Sequence, residues 1–477
     1  MFEKDNQINA RSSRYTVAEL FCGCGGFSRG FLRSGRFNVV LGNDIKGAAL
    51  LTFRVNNAGE LGEPEIIPND IREVSEDRII TKLKNKGIEI GELDCLIGGP
   101  PCQGFSQMRR SEEREGSEIV GFKGYDRLSE DPRNDLVLRF LEIAQALKPR
   151  FIVIENVPQM LRHGFNGVLG GVADAVQEML GAMNYDVAVR VLNAADYGVP
   201  QLRERAFFIA SRDSCASFPD RTRAELPLFS EEEGASGWVT VEEAINDLPI
   251  PSLGKDDLGG GPLTLYPQVK LSDFARETRG QREFPYNHIT RTYSRRIIHI
   301  IQEMQPGETW DSASARAREH YAKIISTHAR SDETPEETKQ RLIKERLINP
   351  VFYKSYYWSA YTRLAWDRPS LTITANANFL GSGRFTHPEQ DRGITMREAA
   401  RLQSFDDDFR FITSPNNPKD TERIGVGMDM IGEAVPPLLA KAIATHIAGL
   451  LDQEKAKLTD FPEFQVVRIY EPATEVV

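Results

Sequence analysis

Residues 19–31 read ELFCGCGGFSRGF. The run that leads into them, YTVAELF at 15–21, has strand character, and FSRGFLRSG after them takes up a helical pattern. Between the two lie Gly23, Gly25 and Gly26. A strand that passes into a helix through clustered glycines lets the backbone approach a ligand closely. The spacing is not the G-x-G-x-x-G of dinucleotide folds, which argues against a hydride-transferring dehydrogenase and for another adenosine-bearing ligand.

Outward from this turn, FNVVLGND, EIIPND, LDCLIGG and RFIVIENV read as further strands. DPRNDLVLRFLEIAQALKP and VADAVQEMLGAMN carry helical period, and YDVAVRVLNAADYG with RERAFFIAS forms a closing pair of strands. The alternation predicts an α/β fold, a doubly wound, mostly parallel, Rossmann-like sheet over residues 1–212 that binds ligands beyond the carboxyl ends of its strands. Residues 213–365 are rich in Pro, Gly, Arg and aromatics, without repeats, and are expected to form a smaller irregular domain. Within it lie a polar helical stretch near 311–347 and seven aromatics in 351–366. Residues 366–452 should rejoin the first domain, with a helix starting at the prolines of AVPPLLAKAIATHIAGLL, and 453–477 should be a tail.

The 477 residues are 40% hydrophobic and 27% charged, which excludes a disordered chain, a fibre or a small secreted scaffold. No run approaches the ~18 apolar residues of a membrane span, and the start has no signal-like core. Five cysteines, odd and sparse, fit a reducing compartment, hence a cytoplasmic expectation. The net charge is −10, yet residues 255–368 hold 19 Lys and Arg against 15 Asp and Glu, a net of +4, leaving −14 elsewhere. That asymmetry is either fluctuation or a local polyanion-binding face.

Four motifs carry chemistry. Asp44 stands 21 residues after Gly23, where an acid can bind ribose hydroxyls. Asp70, closing EIIPND, either accepts from an adenine amine or caps the next segment. In GGPPCQGFS (98–106) two prolines stiffen the turn and aim one thiol, Cys102, at the ligand edge. Cys22, Cys24, Cys95 and Cys215 lack zinc spacing, so no metal is expected. IVIENV places Glu155 at the end of an apolar strand, where a carboxylate is costly to bury. In QLRER, Arg203 and Arg205 alternate onto one face, suited to a carbonyl oxygen, a phosphate, the nearby glutamate or plain solvation.

Taken together these segments resemble the DNA cytosine carbon-5 methyltransferases of the bacterial modification type. The match covers 15–212 and 363–450, with DPRNDL, RGITMREAARLQSF and GEAVPP as further motifs in order. The resemblance implies S-adenosylmethionine as cofactor, held by Phe21, Gly23, Gly25, Asp44, Asp70, Leu136, Glu433 and Val435. It implies Cys102 as the nucleophile on cytosine carbon 6, Glu155 on the ring, and Arg203 and Arg205 positioning the base and the glutamate. It implies a duplex DNA partner and base flipping. Gln103, Ser106 and Arg109 would meet DNA from a closing loop that also carries Arg110, Arg114, Lys123 and Arg127. Arg291, Arg295 and Arg296 would do so from the variable recognition region. A monomer working alongside a restriction endonuclease is the implied setting; an RNA cytosine methyltransferase and a catalytically impaired DNA-binding relative are the alternatives. One departure stands out: the family has Asn where this chain has Glu433, and a carboxylate cannot donate as an amide does.

Overall fold

The computed structural model describes residues 14–101, 135–162, 171–225, 237–253, 264–356, 359–414 and 423–459. The strands are β1 (Tyr15–Leu20), β2 (Phe37–Asn43), β3 (Glu65–Ile67), β4 (Cys95–Gly98), β5 (Phe151–Asn156), β6 (Asp186–Asn193), the two-residue β7 (Gln201–Leu202) and β8 (Glu204–Ser211). Seven of them form one sheet in the order β3-β2-β1-β4-β5-β8-β6. The first five are parallel, and β8 runs antiparallel to both β5 and β6.

Side chains alternate between the two faces. Val17, Val39, Ile97, Val153 and Phe207 point to one core, whereas Ala18, Val40, Leu96, Ile152 and Phe208 point to the other. Both faces are covered, which is why these strands read as continuous apolar runs. One cover is α3 (Glu76–Lys84), α4 (Asp135–Leu147) and α5 (Gly171–Ala182), which follow α1 (Gly26–Arg33) and α2 (Gly47–Asn56) in the chain. The other is α1, α2 and α13 (Pro437–Thr459), so both ends of the matched chain meet on one face. Gly26 and Gly30 permit that contact. A Cβ at either would stand 2.5 Å from a backbone oxygen, of Val435 or of Pro437.

The rest is built differently. It holds α6 (Val241–Ile245), α7 (Asp273–Arg279), α8 (Arg295–Glu303), α9 (Trp310–Thr327), α10 (Pro335–Lys344), α11 (Met396–Leu402) and α12 (Ile424–Glu433), with strands only two residues long. Residues 239–301 share one apolar core with 364–434, so that core crosses residue 365. A second core surrounds Trp310. Phe352 stacks on it at 5.1 Å, and Tyr356 and Tyr361 pack at 5.0 and 5.7 Å. In the aromatic-rich run these rings form a core around Trp310, which is 1% exposed, rather than a stacking surface. Ile424–Lys457 contains an 18-residue window with the mean hydropathy of a membrane span, but 61% of that window is buried inside the fold, as in a core helix.

Candidate active site

The chain leaves β1 for β2 and β3 on one side and returns to β4 on the other. The crevice between the carboxyl ends of β1 and β4 is therefore the topological switch point, where open α/β sheets bind ligands. The glycine-rich turn follows β1 and the Pro-Pro turn follows β4.

In the first turn Phe21, Gly23 and Gly25 have φ of 56°, 50° and 90°. A Cβ on Gly23 would meet nothing within 4 Å, so its backbone faces open space, whereas one on Gly25 would lie 2.5 Å from the Asn57 amide and 2.7 Å from Phe53. Asp44 braces the turn: its carboxylate accepts from Gly23 N–H at 2.8 Å and Lys46 N–H at 2.9 Å. Beside it Ile45 is 67% exposed. Asp70 serves as the cap, accepting from Arg72 N–H and Nε at 3.0 Å, and the Arg72 guanidinium holds its carboxyl below the usual range. Leu136 and Val435 are buried. Glu433 forms an ion pair with Lys46, with Nζ at 2.7 and 2.6 Å from its two oxygens.

At the second turn, Glu155 and Asn156 end β5 beside β4. Asn156 Nδ2 donates to the Pro100 carbonyl at 3.0 Å, which pins the Pro-Pro turn to the Glu strand. A Cβ on Gly99 would come within 3.1 Å of Glu155 Oε2. Arg205 Nε lies 3.0 Å from Glu155 Oε1, and burial lowers the guanidinium pKa against the pull of that carboxylate. Arg203 goes elsewhere. It precedes β8 and turns into the core, donating to the carbonyls of Ile373 and Gly432 at 3.0 Å and Ala434 at 3.2 Å. The two arginines thus do not share a face: one meets the glutamate and the other clamps the turn that carries Glu433.

Cys102, Gln103, Ser106 and Arg109 lie outside the described residues, as do Arg110, Arg114, Lys123 and Arg127. Burial pushes the thiols of Cys22, Cys24 and Cys95 up, away from nucleophilic use. Arg291, Arg295 and Arg296 are exposed at the start of α8. Arg276 and Arg282, in the same basic stretch, are paired with Asp273 and Asp408.

Two residues escaped the sequence reading. Asn156 is one. The other is Glu19, 3% exposed, whose carboxylate accepts from Ser28 N–H at 3.0 Å and from the Ser28 hydroxyl. Burial, with Asp44 adding its charge, pushes its pKa up to about 8. The signal was available, since an acid near the end of an apolar strand is the feature that singled out Glu155.

The open α/β sheet thus gathers a carboxylate, a guanidinium and a braced glycine turn at its switch point, the place where such sheets bind ligands. Residues 15–449 match the model of the C-5 cytosine-specific DNA methylases, and the chain belongs to that family. It is 29% identical to the type II methyltransferase M.DdeI of Desulfomicrobium norvegicum, over 91% of this chain and 88% of that protein. It is 28% identical to M.AgeI of Thalassovita gelatinovora, over 90% and 98%. The fold also resembles the crystal structure of a prophage-encoded E. coli protein described as a DNA modification methyltransferase. The TM-score is 0.60 at 22% identity, covering 92% of this chain and 99% of that one.

Proposed function

We propose that this DNA (cytosine-5)-methyltransferase moves a methyl group from S-adenosylmethionine to a flipped cytosine in a specific duplex sequence, as the modification partner of a restriction endonuclease. The observation that carries the reading is the convergence at the switch point: the Gly23–Gly25 turn, the Pro100 turn and the Glu155–Arg205 pair stand at adjoining strand ends.

The cofactor fits the residues present. Gly23 offers backbone against open space, and Asp44 and Asp70 stand at the next two strand ends for ribose and adenine. Phe21, Gly25, Leu136, Val435 and Glu433 complete its surroundings. When bound, S-adenosylmethionine supplies an electrophilic methyl group. The Cys102 thiolate adds to carbon 6 of the base, which makes carbon 5 an enamine carbon able to take that methyl. Loss of the carbon-5 proton and expulsion of the thiolate then restore the ring. Glu155 holds ring nitrogen 3, Arg205 orients Glu155, and Arg203 acts from a distance by fixing residues 432–434. Gln103, Ser106 and Arg109 follow Cys102 in the sequence and contact the DNA, and residues 213–365 supply most of the sequence recognition.

Duplex DNA carrying 5-fluorocytosine cannot lose its carbon-5 substituent, so the protein should form a covalent complex with it that survives denaturation. Cys102→Ala should form none and should transfer no methyl group. A Cys102→Ala protein that methylates at near wild-type rate would sink the mechanism. Bisulfite sequencing of DNA from cells expressing the chain reads out the recognised sequence.

A further inference from the structure

Phe379 is 60% exposed, the only phenylalanine among the exposed large hydrophobics of the described residues. Leaving such a ring in water forgoes the hydrophobic stabilisation that burying it would contribute. Nor is it on a slack loop. Phe379 N–H donates to the Asn376 carbonyl at 2.9 Å, and Ser382 N–H to the Phe379 carbonyl at 2.9 Å. The Ser382 hydroxyl reaches the same two carbonyls at 2.9 and 2.6 Å. The next residue, Leu380, is 4% exposed and anchors the turn in the core shared by 239–301 and 364–434. The turn is therefore built to hold one aromatic ring outward.

Its surroundings are cationic. Arg291 Nη2 donates to the Asn378 carbonyl, so the basic stretch and the turn form one surface. The Arg291 guanidinium also lies 5.1 Å from the centre of the Tyr293 ring. Arg295 and Arg296 open α8, whose start Ser294 caps and whose dipole adds positive potential. Among the described residues, no carboxylate forms an ion pair with Arg291, Arg295 or Arg296. An outward ring flanked by exposed guanidiniums suits a ligand that is polyanionic along its backbone and flat and apolar within.

We infer that Phe379 is a DNA-contacting residue, its ring stacking on a base of the bound duplex while Arg291, Arg295 and Arg296 take neighbouring phosphates. This rests on the duplex-DNA reading above and extends recognition past residue 365. The same segment reaches the catalytic side. The Ile373 carbonyl, six residues earlier, accepts from Arg203, and Gly432 packs so closely on Thr374 and Ala375 that a Cβ there would collide with their backbone.

The test measures methyl transfer to a plasmid whose methylated sites bisulfite sequencing has mapped, using wild type, Phe379→Ala, Phe379→Trp and Arg291→Ala. Phe379→Ala should lose roughly five- to hundredfold in kcat/KM for DNA, the span of one base–aromatic stack. S-adenosylmethionine affinity and thermal midpoint should stay at wild-type values. Phe379→Trp should retain activity within about threefold. Arg291→Ala should reduce the slope of log affinity against log salt by about one, and Phe379→Ala should leave that slope unchanged. A Phe379→Ala protein within twofold of wild type overturns the inference. So does one whose only change is in oligomeric state, which would make the ring a self-association contact. Wild-type protein that transfers nothing to duplex DNA would overturn the substrate reading and this inference with it; activity in wild type with no effect at Phe379 overturns this inference alone.

Discussion

The sheet and the recognition-side core solve the same problem by different means. In the sheet, long strands satisfy one another's backbone groups, and the faces need only apolar cover. The core of residues 239–301 and 364–434 has strand pairs just two residues long, so its buried loops present carbonyls without ladder partners. Buried arginines supply the missing donors. Arg397 donates to the carbonyls of Tyr286, Asp406 and Phe409, and Arg363 to those of Ile301, Met304, His387 and Gln390. Each has a carboxylate partner: Arg397 lies 3.5 Å from the buried Asp407, and Arg363 pairs with the partly exposed Asp391. Arg401 pairs with Asp247 and Asp407 at 2.6 Å, and Arg392 grips Glu398 with two bonds of 2.7 Å. Irregular backbone can be buried where five-donor side chains are available to satisfy it.

That contrast can be broken by mutation. Asp407→Ala would leave Arg401 and Arg397 short of a carboxylate in a fully buried site, and losing one partner of a buried pair costs about 3–5 kcal/mol. Ile97→Val at the centre of the sheet should cost only about 0.5–1.5 kcal/mol. Denaturant unfolding of both variants checks this; equal losses would mean that ion pairs do not hold the second core.

The two regions should also respond to pH with opposite sign. Burial alone would raise Glu398 and Asp407, but Arg392 and Arg401 outweigh it and hold both carboxyls below the usual range. Burial lowers His387 to about 4, so it is neutral in the fold. These groups contribute stability above their unfolded pKa values that is lost as pH falls. Glu19 is the reverse. Its folded pKa of about 8 exceeds the unfolded value of about 4.3, so its contribution is complete below about pH 4.3 and gone once pH has risen through 8. Glu19→Gln should therefore gain on wild type as pH rises from 5 to 9, by on the order of 4 kcal/mol, since each pH unit between the two pKa values adds about 1.36 and about three such units fall in that range. Thermal melts across that range provide the measurement, and a gap that stays flat would place the Glu19 pKa in the ordinary range.

The same contrast explains what could be read from sequence. β1, β2, β4 and β5 were legible because strands covered on both faces write themselves as apolar runs, and the order of motifs placed their turns at one sheet edge. Arg363 and Arg203 were misleading because a buried arginine that satisfies carbonyls reads the same as one that awaits phosphate. Arg363 entered the basic count of 255–368 yet is 5% exposed. The aromatic run was legible as a dense cluster, but no local pattern reveals that Trp310, some forty residues upstream, gathers its rings. Phe379 carried no signal, since exposure of one ring depends on how its own turn is anchored to a core built from distant segments.

The smallest effect concerns Glu433. The family resemblance implied an amide at this position, and the carboxylate found there suggested an impaired enzyme. The structure supplies its partner, Lys46, two residues beyond Asp44 and with its own N–H bound by that carboxylate. The pair joins the loop after β2 to the end of α12, and burial together with the Glu433 charge raises the nearby Asp429 pKa. Both partners are about half exposed, so their coupling should be worth only about 0.2–1 kcal/mol and should fade with salt. Glu433→Asn should accordingly stay within about twofold of wild-type methylation from pH 6 to 9. Lys46→Ala should do more, a few-fold in KM for S-adenosylmethionine at low salt, because it leaves Glu433 and Asp429 without a counter-charge. The double variant should recover most of that loss. If Glu433→Asn instead raises turnover several-fold, the carboxylate is a defect that Lys46 does not compensate. If Lys46→Ala and the double variant are equally slow, the lysine acts on something other than Glu433.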